Sequence, residues 1–262
     1  MARIYPICSS SSGNSAFIGT RGHGILVDAG CSFRALSNAL SLIDTSFDEI
    51  EALFITHGHT DHIKGLQQIA KHTSIPIFAS AQTASEIREK NIVPEETTIY
   101  DISEGYHSAQ FEVSSFRTSH DAVGSVGYKI RYGENCFGIC TDTGFVTEEA
   151  ENALTGCFGV LLESNYDEEM LRRNMNYSAE LKRRIKSNTG HLSNDSCAEF
   201  ALKLVESGTR HLILGHLSRE NNTPATAEAC TERYLAQRGL FRERDYTINV
   251  APVMTTGEFF SM

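Results

Sequence analysis

No apolar run in this chain of 262 residues approaches the roughly 20 consecutive residues that would span a bilayer, so a membrane-embedded protein is excluded as an expectation. The opening residues, MARIYPICSSSSGN, turn polar too soon for the apolar stretch of a secretory signal, and the expected location is the cytoplasm. No CxxC pair occurs among the seven cysteines, Cys8, Cys31, Cys136, Cys140, Cys157, Cys197 and Cys230. They are scattered and odd in number, so a disulfide framework is not expected, and they read as free thiols serving as small hydrophobes. No Pro-, Gly- or Ser-rich linker divides the chain, and no repeat is visible. Net positive charge is lacking too. At −10 the chain is no general nucleic-acid-coating protein, although a segregated basic site remains compatible with that total.

The remaining 40% hydrophobic content, with few prolines, describes a chain able to bury a sizeable core. Short β-rich runs come first, at 3–8, 15–20 and 24–28, with Ser9 to Asn14 expected as a tight loop between two of them. A helix-like stretch over 33–43 follows, then a strand over 52–56. Further strands are predicted at 75–79, 111–117, 126–132, 136–141, 159–163 and 211–214, and helices at 63–71, 83–90, 179–187, 195–206 and 225–237. Long β-rich stretches with helices in both halves predict two sheets with helices packed outside them. The fold class is α/β, a four-layer αββα sandwich, in one domain over 1–262.

The densest chemical signal is Thr56-His57-Gly58-His59-Thr60-Asp61-His62, directly after the apolar strand ALFIT. Three imidazoles and a carboxylate within six residues exceed what a structural role needs. In extended backbone His57 and His59 project to one side, and a following turn can bring Asp61 and His62 back to the same pocket. Neutral imidazole and carboxylate suit zinc, manganese or iron, whereas a set without thiolate suits a structural zinc cage poorly. One short loop cannot complete two coordination spheres, so further ligands must come from elsewhere.

HGHTDH after a β-strand resembles the signature of the metallo-β-lactamase superfamily, and the chain carries that superfamily's other motifs in order. Asp28 ends GILVDAG, His120 lies in TSHD, Asp142 in CTDTG and His216 in LILGHLS. The resemblance implies two divalent metal ions, zinc or manganese with iron as an alternative. His57, His59 and His120 would hold one ion, Asp61, His62 and His216 the other, and Asp142 would bridge. Asp28 would buttress the histidine loop rather than touch metal. His23, His72, His107 and His211 match no motif and read as ordinary histidines.

Three features narrow the chemistry that this resemblance implies. Position 59 is His, where the superfamily's diiron redox members have Glu. Asp142 is absent from true β-lactamases of this fold, and thioester and phosphodiester hydrolases both keep the full set. LLESNYDE, GHLSND and LGHLSRENNTP are similar in order and spacing to the final third of ribonuclease Z, with Glu163 and His191 at the places of its assisting Glu–His pair. SSSSGN, HDAVGSVGY and GHLSN with LGHLSRENNTP resemble the YycJ (WalJ) family, nuclease-like proteins for which DNA exonuclease activity is proposed.

Between Leu171 and Ser187 lie Arg172, Arg173, Lys182, Arg183, Arg184 and Lys186, against the single acid Glu180. Such a cluster can grip phosphates without reading bases, and no aromatic stacking motif accompanies it. The expectation is therefore a two-metal phosphodiesterase, a DNA-exonuclease-like nuclease that activates water between its ions. Asp61 would orient the nucleophile, while His191, polarised by Glu163, would assist the leaving group. Arg183 and Arg184 would bind substrate, and Asn14, Ser218, Arg219 and Asn221 would line the cleft. Asp142 and His216 lie too close in sequence for the large inserted domain of ribonuclease J, so grip would come from the core surface or from a second subunit of a homo-oligomer. A thioester, lactone or cyclic-phosphodiester hydrolase is the rival, and a regulatory protein with a vestigial site the more distant one.

Overall fold

A computed structural model describes residues 2–255 of the chain, which divides into two compact units. One comprises the residues up to Ser115 with Ala122–Val126 and the stretch from Pro252; the other comprises Phe116–Asp121 and Gly127–Ala251.

In the first unit, β1 (Arg3–Ser10), β2 (Gly13–Thr20) and β3 (His23–Val27) pair antiparallel, and β4 (Ile50–Phe54), β5 (Ile77–Ala79) and β6 (Ile99–Asp101) extend the sheet in parallel. Spatial order follows chain order from β1 to β6. The SSSSGN loop is shorter than expected, because Ser9, Ser10, Gly13 and Asn14 are paired strand residues and only Ser11 and Ser12 turn. Helix α1 (Phe33–Ser41) starts at Ser32, whose side chain accepts from the Ala35 amide, a cap of about 1 kcal/mol. It buries Leu36, Ala39 and Leu40, the i, i+3, i+4 stripe that faces a core. The helix predicted over 63–71 is instead α2 (Thr60–Ile63) and α3 (Leu66–His72). The break is at Gly65, where a Cβ would fall 2.4 Å from the Cys31 carbonyl. Helix α4 (Ala81–Glu89) and the antiparallel ribbon of β7 (Tyr106–His107) and β8 (Phe111–Arg117) follow.

In the second unit, β9 (Val126–Tyr132) pairs antiparallel with β10 (Asn135–Cys140). Then β11 (Gly159–Glu163), β12 (His211–Gly215) and β13 (Thr247–Val250) add in parallel. Helices α5 (Glu148–Leu154), α6 (Glu168–Arg173), α7 (Ala179–Ile185), α8 (Asn194–Glu206) and α9 (Pro224–Ala236) join them. Val160, Leu162, Leu212, Leu214 and Ile248 form this unit's core with Cys197, Phe200, Ala201 and Leu204 of α8. Helices α5 and α6 and strands β6, β7 and β13 had no counterpart in the sequence reading. All seven cysteines are free, as expected, and only Cys230 is more than slightly exposed.

The parallel strands fix where chemistry can occur, since residues just past their carboxyl ends are free of the ladder and share one sheet edge. Asp28 follows β3, and Thr56 and His57 follow β4. Asp142 follows β10, Glu163 closes β11, and His216 follows β12. Asp28, Asp142 and His216 all take positive φ, of 61°, 57° and 54°. For residues with a Cβ that conformation costs ~1–2 kcal/mol each. Three of these strand ends therefore hold a carboxylate or imidazole in a backbone turn that favours glycine.

A candidate metal centre

In the first unit, the histidine loop is built on Asp28. Its Oδ1 accepts from the Thr56 backbone N–H at 2.8 Å, and its Oδ2 accepts from His62 Nδ1 at 2.7 Å and from the Thr56 hydroxyl at 2.8 Å. All three residues are buried. Because Nδ1 of His62 donates, its Nε2 carries the lone pair, the state in which an imidazole binds metal. Asn14 Nδ2 stands 3.1 Å from that Nε2 and 3.2 Å from Asp61 Oδ2. The His57 ring lies 4.7 Å from that of His59 and 4.0 Å from that of His62, centroid to centroid. Gly30 sets Asp61's position: a Cβ there would meet the Asp61 carbonyl at 1.8 Å and the Asn14 amide at 2.3 Å.

In the second unit, Asp142 Oδ1 lies 3.6 Å from His120 Nε2 and 3.5 Å from His216 Nε2. These separations are too long for hydrogen bonds, yet close to the ~3.4 Å that two donors subtend when each binds a tetrahedral ion at about 2.1 Å. The other ring nitrogens are committed elsewhere. His120 Nδ1 donates to the Gly190 carbonyl at 3.1 Å, and His216 Nδ1 to Glu163 Oε1 at 2.9 Å. Ligating atoms of Asp142, Glu163, His191 and His216 lie within 4.8 Å of one another. Imidazole and carboxylate donors with the far nitrogens tied down fit zinc, manganese or iron.

Glu163 is fully buried, and its three contacts account for its charge. Oε1 accepts from His191 Nδ1 at 2.8 Å as well as from His216, and Oε2 from the Thr143 N–H at 2.8 Å. Burial opposes its ionisation, but His191 and His216 outweigh burial and hold the carboxyl below its ordinary range. Burial likewise lowers the proton affinity of His120, with Asp142 pulling the other way.

His191 precedes α8: Ser193 caps that helix, its side chain accepting from the Ser196 N–H, so His191 lies outside the first turn. Ser218 and Asn221, expected at the cleft, lie away from the surface. Both are buried, Ser218 Oγ accepts from the Asn221 N–H, and Asn221 Oδ1 accepts from Asn174 Nδ2. Asn14 braces Asp61 and His62, and Arg219 is exposed.

The basic stretch is largely neutralised by acids outside the window that made it conspicuous. Arg172 and Arg173 pair with Glu169, Lys186 with Glu168, and Arg184 with Asp121 at 2.6 Å. Lys182 donates to the Arg172 carbonyl. Arg183 is exposed with no acid beside it among the described residues. Arg184 lines one narrow cleft with His120, Asp121, Ile185, Gly190 and His191. Thr56, Gly30, Thr143 and the Gly190 carbonyl escaped the sequence reading; only Thr56, adjoining the histidines, carried a signal.

A family model described as the β-lactamase superfamily domain matches residues 23–217. Exodeoxyribonuclease YycJ of Bacillus anthracis is 32% identical over 235 residues, 89% of this chain and 89% of that one. Exodeoxyribonuclease WalJ of Streptococcus pneumoniae is 32% identical over 238 residues, 89% of this chain and 88% of that one. Among solved structures, the metallo-β-lactamase fold protein YhfI from Bacillus subtilis superposes with a TM-score of 0.68 at 16% identity, over 97% of this chain and 98% of that one. That last likeness concerns fold alone.

Proposed function

Because the chain belongs to the metallo-β-lactamase superfamily and is a metal-dependent hydrolase, we propose that it is a nuclease that cleaves phosphodiester bonds in DNA. Identity of 32% across 89% of the chain to proteins named exodeoxyribonucleases is the observation that carries this reading. In it His57, His59 and His120 would hold one divalent ion and Asp61, His62 and His216 a second, with Asp142 available to both. All seven fall within the matched residues 23–217. Bound in pairs, such ions supply Lewis acidity, lowering the pKa of a water toward ~7 and offsetting charge on phosphate oxygens.

The chain's own residues supply position and protons. Asp61 orients the attacking water in line with phosphorus, since placement dominates phosphoryl transfer. His191 donates Nδ1–H to Glu163, so its Nε2 is the atom left to deliver a proton to the departing oxygen. Glu163 stabilises the imidazolium form that makes the delivery, and Arg183 and Arg184 contribute to binding the strand.

A small-molecule thioester, lactone or cyclic-phosphodiester hydrolase is the second reading, favoured by the neutralised basic stretch. One experiment separates the two. Protein of measured metal content is given labelled single- and double-stranded DNA and RNA, a glutathione thioester and a β-lactam. DNA cleavage should dominate, and His57→Ala/His59→Ala should lose both metal and cleavage. Thioester turnover exceeding phosphodiester turnover at matched loading overturns the nuclease reading.

A further inference from the structure

We propose that Met175 is a base-contacting residue, holding a nucleobase of a single-stranded substrate in the groove beside it; the proposal rests on the nuclease reading above. Met175 is 94% exposed, more than any other large hydrophobic side chain among the described residues. A lone exposed apolar residue needs no explanation. Its bracing does.

The loop between α6 and α7 is tied at both ends and in the middle. Asn174 caps the end of α6 through its backbone N–H, which donates to the Met170 carbonyl at 3.0 Å. Asn174 Oδ1 accepts from the Asn176 N–H at 2.8 Å, and its Nδ2 donates to Asn221 Oδ1 at 2.7 Å. Ser178 then caps the start of α7. Met175 therefore stands at the apex of a short loop whose backbone is fixed on either side, with its hydrophobic side chain aimed at solvent.

The groove beside it is lined by Met170, Arg173, Asn174, Met175, Asn176 and Glu220. Two thioethers offer polarisable apolar surface of the kind that rests against an aromatic face. Methionine is among the side chains that wedge between base steps. The Asn176 amide and the Glu220 carboxylate match the donors and acceptors on base edges, a carboxylate accepting from an exocyclic amine. Glu220 also repels a phosphate, and Arg173 is already paired with Glu169, so the base more than the backbone is what this groove admits. An apolar protein segment would offer the Asn176 amide and that carboxylate no hydrogen bond.

Continuity with the candidate metal centre gives the register. Glu220 lies four residues beyond His216, and four residues of chain span at most ~14 Å when fully extended. At about 3.4 Å per stacked nucleotide, the contacted base lies within roughly four nucleotides of the bond being cut. Asn221, in the same segment, is the residue that anchors Asn174. The loop that carries Met175 is thus hydrogen-bonded to the segment that follows His216.

The test uses the full-length metal-loaded protein and single-stranded oligonucleotides with methylphosphonate ends, each carrying 2-aminopurine at one of the first five positions. Wild-type protein should brighten the probe at one position within about four of the end, as that base leaves its neighbours. Met175→Ala should abolish the brightening and raise Kd by ~2–12-fold, the range that loss of one thioether–aromatic contact implies. Met175→Leu should restore most of the affinity, and metal content and Tm should be unchanged in both variants. If wild type cleaves DNA but Met175→Ala binds as tightly and brightens the same position, this inference fails alone. If wild type cleaves DNA but binds no single strand, this inference again fails alone; if it cleaves neither single- nor double-stranded DNA, the nuclease reading fails with it. Loss of a dimer in Met175→Ala, with Kd unchanged, would assign the groove to a second copy of the chain and overturn the inference.

Discussion

His216 Nδ1 donates to Glu163 Oε1 at 2.9 Å, and the same oxygen accepts from His191 Nδ1 at 2.8 Å. A carboxylate expected to serve His191 alone therefore also orients a proposed metal ligand. Glu163→Gln should weaken metal affinity by ~10–100-fold, the usual consequence of losing a partner behind a ligating histidine. His191→Ala should leave metal content intact and lower phosphodiester turnover by ~10²–10⁴. Metal analysis alongside turnover distinguishes the two. Full metal retention in Glu163→Gln would mean that the bond to His216 orients nothing.

Gly30→Ala removes no donor atom but should damage the centre. The new Cβ would lie 1.8 Å from the Asp61 carbonyl and 2.3 Å from the Asn14 amide, both backbone groups that cannot swing aside. Forced displacement of this kind costs ~1–3 kcal/mol. The expected outcome is a lower Tm with metal content falling toward one ion per chain. Two ions retained at wild-type affinity would show that Asp61 tolerates the shift.

Arg183 and Arg172 should differ although both belong to one basic stretch. Arg172 is paired with Glu169, and Arg183 has no acid beside it among the described residues. Arg183→Ala should weaken single-strand binding and reduce the slope of log K against log salt by about 1. Arg172→Ala should change that slope much less. Titrations at four salt concentrations decide the matter, and equal slopes for the two variants would contradict it.

Tyr106 gives a pH dependence away from the metal residues. Burial and then the Glu51 carboxylate, which accepts from its hydroxyl at 2.5 Å, push it up to about 12. An unfolded tyrosine titrates near 10. The native state thus keeps a proton that the unfolded chain has begun to release, and the stability so gained is complete below pH ~10 and lost as pH rises toward 12. Tyr106→Phe should flatten the fall of Tm across that window while leaving the rest of the profile parallel. An unaltered slope would show that Tyr106 is not the group responsible.

What could be read from the sequence was what lies close together in it. His57, His59, Asp61 and His62 declared themselves by density, whereas Asp28, His120, Asp142 and His216 were recognisable only by their order in a known set of motifs. Asn14 meets His62 across 48 residues, and Glu163 meets His216 across 53. No local pattern encodes such pairs. The basic stretch misled for the same reason: Glu168 and Glu169 stand just outside its bounds, and Asp121 reaches Arg184 across 63 residues. Strands β6 and β13, of three and four residues, are too short to display a period of two.

The left-handed turns at Asp28, Asp142 and His216 set heat tolerance against activity. Glycine at any of the three would relieve backbone strain, but at 28 it would strip the buried Thr56 N–H and His62 Nδ1 of their acceptor and at 216 remove a donor from buried Glu163, so 142 is the position where the fold gains by giving up its side chain. A library of variants selected only for survival at high temperature should accumulate glycine at 142 in preference to 28 and 216. The survivors would be the most robust members of the population and the least able to bind metal.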